Sequence, residues 1–263
     1  MDFSRASIAR VYDAFLDGKD NYEVDRAVLA DVLRIAPNAK AMAKASRRFL
    51  IRAVRHIAEA GVDQFLDCGS GLPTVQNTHQ VAQKVNPEAV VVYVDNDPTV
   101  SAFGRALLAE NEHTHFLEAD LREPGQVLSS PTIRDNLDFS RPIALMQVAT
   151  LHHVDDDADP AEIMAEYVGA LASGSYVVLS HFYDNEDGGE GTRLAHEIES
   201  RFRNSSMGTG RYRTRGEIEA LLRGLEMVEP GLVEPDQWRP DGPRLVSPSL
   251  VERLILSGVA RKP

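Results

Sequence analysis

The chain has 263 residues, of which 40 are acidic and 28 are basic, so its formal net charge at pH 7 is −12. A negative field repels phosphate backbones and anionic lipid headgroups, and we therefore expect neither a nucleic acid nor a membrane as a partner. A single cysteine excludes an internal disulfide, and the lack of a signal-peptide pattern or an apolar run of about 18 residues predicts a cytoplasmic protein.

Three amphipathic helices are predicted in the first sixty residues. Apolar residues recur at spacings of three and four over residues 8–16, and the same pattern continues in two further segments up to Gly61. A polar break at residues 18–21 separates the first two helices. We expect residues 1–61 to form a helical extension and residues 62–263 to form the core.

From residue 62 onward, short apolar runs alternate with helical segments, which predicts an α/β fold with helices on both faces of a mostly parallel sheet. The predicted strands cover residues 64–68, 90–95, 114–118, 142–148, 175–181, 225–233 and 250–261. The predicted helices cover residues 75–85, 99–111, 160–171, 192–202 and 214–224.

The first predicted strand ends in a glycine loop, Asp67-Cys-Gly-Ser-Gly71. Glycines at this point allow a tight turn and a close approach of a ligand to the backbone. Asp95 closes the second strand, where an acid can accept hydrogen bonds from both hydroxyls of a ribose. Asp120 follows the third strand, where a carboxylate can accept from an adenine amino group. Together these residues predict an adenosine-binding edge of the sheet.

The residues around the glycine loop indicate which class of adenosine-containing ligand it binds. Dinucleotide sites use Gly-x-Gly-x-x-Gly, but position 74 holds Thr74 in place of the third glycine. Asp67 directly precedes the loop, where its charge would repel a pyrophosphate. The same acid suits a cationic amino group, and S-adenosylmethionine carries one.

The chain resembles the class I S-adenosylmethionine-dependent methyltransferases in its glycine loop, in Asp95 and in the Ala119-Asp-Leu121 step. More narrowly, it resembles an actinobacterial "S-adenosyl methyltransferase" family of unassigned substrate. This second resemblance spans essentially the full length. It is carried by residues 7–13, 18–22, 65–74, 92–98, 119–122, 151–154, 174–181, 230–232 and 238–240.

The resemblance implies a Rossmann-like class I methyltransferase fold, with a seven-stranded sheet whose last strand is antiparallel and with preceding helices that close over the cofactor. It implies S-adenosyl-L-methionine as the cofactor. We expect residues 8–25 to lie over its methionine portion. The predicted cofactor-binding residues are Tyr12, Lys19, Asn21, Asp67, Gly69, Ser70, Gly71, Asp95, Asn96, Asp120, Leu121 and Gln147.

Three histidines are candidates for the chemistry. Methyl transfer depends mainly on alignment of the reacting groups, and a general base is needed only when the acceptor loses a proton. His152 and His153 follow the fourth predicted strand, and His181 ends the fifth. The alternative is that these side chains only pack against or cap neighbouring elements.

Two charged clusters are interpreted structurally. The acids in residues 155–159 precede Pro160, and carboxylates suit the start of a helix, so we expect no metal site there. Five arginines between Arg201 and Arg215 predict a solvated basic face, with a carboxylate-bearing acceptor as the alternative.

The sequence thus predicts an S-adenosylmethionine-dependent methyltransferase that acts on an oxygen, nitrogen or carbon of a small-molecule acceptor. The alternative is a noncatalytic module that binds the same cofactor. An oxidoreductase that uses a nicotinamide cofactor ranks third, because the third glycine is missing. The prediction leaves a homodimer open.

Overall fold

A computed structural model describes residues 4–74, 76–107 and 112–263. Seven strands form one sheet in the order β3-β2-β1-β4-β5-β7-β6. The strands are β1 (Gln64–Cys68), β2 (Val90–Asp95), β3 (Thr114–Glu118), β4 (Ala144–Val148), β5 (Tyr176–Phe182), β6 (Glu226–Met227) and β7 (Ile255–Arg261). The first five run parallel, and β7 is antiparallel to both β5 and β6. The predicted fold is therefore confirmed.

Ten α-helices accompany the sheet in the part of the chain that is described. They are α1 (Ile8–Phe15), α2 (Glu23–Ile35), α3 (Ala39–Glu59), α4 (Thr78–Val85), α5 (Pro98–Leu107), α6 (Pro124–Ser129), α7 (Pro131–Asn136), α8 (Pro160–Ala170), α9 (Glu190–Asn204) and α10 (Arg215–Ala220). None of these described helices combines the length and the apolar character that crossing a bilayer requires.

The hydrophobic core fills both faces of the sheet. On one face, Phe49 and Ile57 of α3 pack with Phe65 and Val91 of the sheet and with Trp238. The opposite face packs against α6, α7 and α8. The helices α1 and α2 form a third cluster with α9 and with the end of β5. Since the first three helices share their clusters with later elements, the division of the chain at residue 61 stays a prediction.

Several predicted boundaries shift for local reasons. The helix expected from residue 75 begins at Thr78, because Asn77 and Gln80 form a capping box there. Residue 75 and residues 108–111 of two predicted helices lie outside the described residues.

The last two predicted strands are shorter than expected. Residues 225–233 form only the two-residue β6 and one bridge from Val233 to Ser257, because the chain turns at Gly231 with a φ of +88°. Residues 250–254 are not extended: Val251–Arg253 is a 3-10 turn that precedes β7. The Glu252 carboxylate accepts a hydrogen bond from the Ser249 N–H and so holds this turn.

Candidate active site

A cavity of about 620 Å³ lies at the carboxyl ends of β1, β2 and β4, where the order of the parallel strands reverses. This volume is typical of small-molecule sites. Residues that follow the strands form its floor, and Ser7, Ile8, Ala9 and Tyr12 of the N-terminal segment lie against its other side. The cavity thus lies between the sheet edge and α1.

The glycine loop requires glycine at position 69 for two reasons. Its φ of +72° lies in the left-handed region, which a side chain disfavours. In addition, a Cβ there would lie 2.3 Å from Cγ2 of Thr150. Gly71 has a φ of +65° but no neighbouring atom within 4 Å of such a Cβ. The loop therefore presents open backbone to the cavity.

Asp95 ties this loop to the end of β2. Its Oδ2 accepts a hydrogen bond from the Gly71 N–H at 2.9 Å, and its Oδ1 accepts from the Asp97 N–H at 2.9 Å. Burial raises the pKa of Asp95 to about 6. A carboxylate offers about four acceptor sites, so Asp95 can still accept from two hydroxyls in the cavity.

Asp120 is already engaged by a neighbouring cation. The Arg122 Nε donates to it at 3.0 Å and the Arg122 Nη2 at 2.5 Å, and the Asn96 side chain also bonds to it. Burial acts to raise the pKa of Asp120, but the hydrogen bonds from Arg122 outweigh it and the pKa is lowered. Asp120 and Leu121 line the cavity together with Arg122. This carboxylate is therefore ionised and shared between the arginine and the cavity.

Arg47 on α3 was not predicted from the sequence, and it lies beside Asp67 at one end of the cavity. Its Nη2 donates to the Gln76 carbonyl at 2.9 Å, while its buried Nε has no acceptor among the described residues. Asp67 accepts from the Thr78 hydroxyl at 2.6 Å, and burial raises its pKa. This end of the cavity thus holds a carboxylate and a guanidinium with an unmet N–H.

The three candidate histidines occupy different environments. His153 lines the cavity, its Nδ1 lies 3.0 Å from the Thr209 hydroxyl, and burial lowers its pKa to about 4. His152 is buried and stacks on Phe182 with ring centroids 3.6 Å apart. Burial, and then the neighbouring His153, lower the pKa of His152 well below its usual value. Both side chains are neutral at pH 7.

His181 is sealed in the interior. Its Nδ1–H donates to the Phe182 carbonyl at 2.7 Å, and its Nε2 accepts from Arg213 Nη1 at 2.8 Å. Burial, and then Arg213, lower its pKa to about 3. His181 does not border the cavity.

The sequence profile of the S-adenosyl methyltransferase family matches residues 1–263. The chain belongs to the S-adenosyl methyltransferase family. It is 45% identical to a candidate methyltransferase of Thermobifida fusca YX over 99% of this chain and 96% of the other, with a TM-score of 0.93. It is 37% identical to a DUF574 family protein of Streptomyces avermitilis MA-4680 over 100% and 99% of the two chains, with a TM-score of 0.92. Among curated proteins there is no match.

Membership in this S-adenosyl methyltransferase family makes S-adenosylmethionine the cofactor, and the residues present fit it. The cofactor ends in an amino acid, and the carboxylate of Asp67 and the unmet N–H of Arg47 are complementary to its two charges. Asp95 offers acceptor sites for its ribose, and the glycine loop leaves room beside the backbone. Ser70 and Asn96 line the same cavity.

Three predicted cofactor residues of this family member are not brought to the cavity. Lys19 is exposed, and the Asn21 amide donates to Asp13 Oδ2 at 2.8 Å. The polar break at residues 18–21 folds onto Asp13, whose carboxylate also accepts a hydrogen bond from the Asp20 N–H. Of the three residues predicted in the N-terminal segment, Tyr12 lines the cavity and Lys19 and Asn21 do not. Gln147 is fully buried and accepts from the Thr150 hydroxyl at 2.8 Å.

Each arginine between Arg201 and Arg215 forms an ion pair with an acid. Arg213 is buried and donates to Asp156 at 2.7 Å, and Arg211 bonds to Asp155 and Glu199. Asp159 accepts from the Glu162 N–H and caps α8, as its position before Pro160 predicts. The acids of this region therefore serve helix starts and ion pairs.

Proposed function

We propose that this enzyme methylates a small-molecule acceptor at an oxygen or nitrogen atom. One observation carries this proposal: the N-terminal segment covers the cavity, so a compact acceptor fits beside the cofactor and a macromolecule does not. When bound, the cofactor supplies a methyl group on a sulfonium. The chain's own residues bind the reactants, orient them and exclude water.

The N-terminal cover is fastened to the loop that follows β2. The Ser7 hydroxyl donates to the Asp97 carboxylate, and Arg10 Nη1 donates to the Thr99 hydroxyl at 3.3 Å. Arg10 is itself held by a buried ion pair with Asp25 at 2.9 Å. Because Asp97 lies two residues after Asp95 and its N–H donates to that carboxylate, we propose that this fastening opens to admit the ligands and closes over them.

We propose His153 as the residue that takes a proton from the acceptor. Its ring borders the cavity, it is neutral at pH 7, and Thr209 fixes the orientation of its Nδ1. The other ring nitrogen can then accept a proton from a hydroxyl or an amine as that group attacks. His152 supports the ring by packing against it, with centroids 4.6 Å apart.

The experiment compares two fractions of an actinobacterial extract as acceptors with isotopically labelled S-adenosylmethionine. We expect label to enter the dialysable small molecules and not the retained macromolecules, and formation of S-adenosylhomocysteine to depend on the small-molecule fraction. Label in the macromolecular fraction would contradict the small-molecule acceptor. Cofactor binding with no transfer to either fraction would favour a noncatalytic binding module.

A further inference from the structure

A second, smaller cavity opens beside the cofactor cavity, and we call it the apolar pocket. It measures about 40 Å³, and Phe15, Met42, Phe182, Phe202 and Ile255 form its apolar wall. The residues that border both cavities are Ile8, Tyr12, Ala149, His153 and Met207. A group in the apolar pocket is therefore next to whatever occupies the part of the larger cavity that His153 borders.

The wall shared by the two cavities carries a backbone feature that is typical of functional sites. Ala149 follows β4 with a φ of +60°, a conformation that a residue with a side chain rarely adopts. Its N–H donates to the Ser180 hydroxyl at 3.0 Å, and that hydroxyl lies 2.9 Å from the hydroxyl of Ser46, another residue of the apolar pocket. The position is held by hydrogen bonds at the point where the two cavities meet.

The lining of the apolar pocket carries no charged side chain among the described residues. The described residues that line it include no acid, lysine or arginine, and its two histidines are neutral at pH 7. The nearby Arg213 is committed to Asp156 and to His181. A carboxylate or ammonium placed in this pocket would lack a partner, and burial of an unpaired charge is strongly unfavourable.

We infer that the apolar pocket binds the apolar end of the methyl acceptor, and that the acceptor is an uncharged molecule with a compact apolar group near its nucleophilic atom. This inference rests on the proposed function. The volume of the pocket suits a methyl or a short alkyl group, or the edge of a ring, and Met42 and Met207 can adapt because their side chains are unbranched. The nucleophilic atom would then lie at the shared wall, beside His153.

The test uses two phenols of the same shape, p-cresol and 4-hydroxybenzoate, with the whole protein saturated with S-adenosylhomocysteine. Ligand-observed NMR measures phenol binding, and calorimetry measures S-adenosylhomocysteine binding separately. We expect p-cresol to bind at least about tenfold more tightly than 4-hydroxybenzoate, because the carboxylate would be unpaired. Equal binding of the two phenols would overturn the inference and leave the cofactor assignment intact. Failure to bind S-adenosylhomocysteine would overturn the proposed function and, with it, the inference.

Two substitutions test whether the phenol binds in the apolar pocket. Ala43→Leu fills the pocket from α3 and should weaken p-cresol binding at least about tenfold, whereas Ala58→Leu, equally buried on the same helix, should not. Met42→Ala enlarges the pocket and should admit 4-isopropylphenol, while the buried Met164→Ala serves as its control. All four variants should bind S-adenosylhomocysteine as the unchanged protein does. Loss of p-cresol binding in both leucine variants alike, or in neither, would overturn the inference.

Discussion

Asp95 and Gly71 are joined by a 2.9 Å hydrogen bond from the Gly71 N–H to Asp95 Oδ2. This bond links the end of β2 to the glycine loop after β1, across 24 residues of chain. One carboxylate therefore shapes the loop and also offers acceptor sites to a ribose in the cavity. Any change in the charge of Asp95 should therefore alter both the conformation of the glycine loop and the affinity for the cofactor.

The pH dependence of ligand binding tests the charge of Asp95. Burial raises the pKa of this carboxyl to about 6, and the protonated form accepts fewer hydrogen bonds. The affinity for S-adenosylhomocysteine should therefore fall as the pH drops from neutral through about 6, by up to about tenfold per pH unit. Asp95→Asn should bind more weakly but without this pH dependence. The same slope in both proteins would assign it to another group.

The stability of the ligand-free protein should move in the opposite direction. Folding raises the pKa of Asp95 from 3.8 to about 6. Between pH 3.8 and about 6, the folded protein therefore binds more protons at this carboxyl than the unfolded chain does. The contribution of Asp95 to the free energy of unfolding therefore rises as the pH falls from about 6 towards 3.8. Urea unfolding of the protein and of Asp95→Asn over this range isolates the contribution as the difference between them.

Gly69 and Gly71 should differ in how well they tolerate a side chain. Gly69→Ala meets both an unfavourable φ and the Thr150 methyl at 2.3 Å, whereas Gly71→Ala meets only the unfavourable φ. We expect Gly69→Ala to lower the free energy of unfolding by about 1–3 kcal/mol. The loss should be larger than the loss that Gly71→Ala causes. Thr150→Ser removes that methyl and keeps the hydroxyl, so it should recover part of the stability lost in Gly69→Ala and none of that lost in Gly71→Ala. Equal rescue of both variants in thermal unfolding would contradict the close approach of Thr150 to position 69.

Substitutions of His153 and His181 should have different effects, the first on the rate of methyl transfer and the second on stability. His153→Gln should lower the rate of methyl transfer to a hydroxyl or amine acceptor by about 10²–10⁴-fold, with the affinity for S-adenosylhomocysteine changed only slightly. His181→Gln disturbs the buried acceptor of Arg213 and should lower the free energy of unfolding by about 1–3 kcal/mol. If His153→Gln keeps full activity on such an acceptor, the ring only packs.

Hydrogen exchange tests the N-terminal cover. On addition of S-adenosylhomocysteine, protection should rise in α1, which lines the cavity, and in the glycine loop. The break at residues 18–21 should change little, since it bonds to Asp13 and not to the cavity. Ser7→Ala should reduce the gain in α1 because the contact with Asp97 is lost. Protection confined to the glycine loop would leave α1 as scaffolding.

The sheet and its strand ends could be predicted from the sequence for a physical reason. Strands buried inside a parallel sheet are short and rich in apolar residues, so β1 and β2 have the predicted bounds, and the residues after them meet at one edge. The fold of the polar break onto Asp13 could not be predicted, because its lysine and asparagine are equally suited to a ligand or to the chain itself. Arg47 is one basic residue among several on α3, and only the packing of that helix brings it beside Asp67.

The measurement that tests the central claim most directly is a calorimetric titration of the protein with S-adenosylhomocysteine, repeated with Asp95→Ala and with the exposed control Asp135→Ala. We expect micromolar binding to the unchanged protein and to the control. Asp95→Ala should bind at least about tenfold more weakly, because two charge-assisted hydrogen bonds of about 1.5–3 kcal/mol each are removed, and NAD should bind far more weakly than S-adenosylhomocysteine. Unchanged affinity in Asp95→Ala, or equal affinity for NAD, would contradict the proposed site.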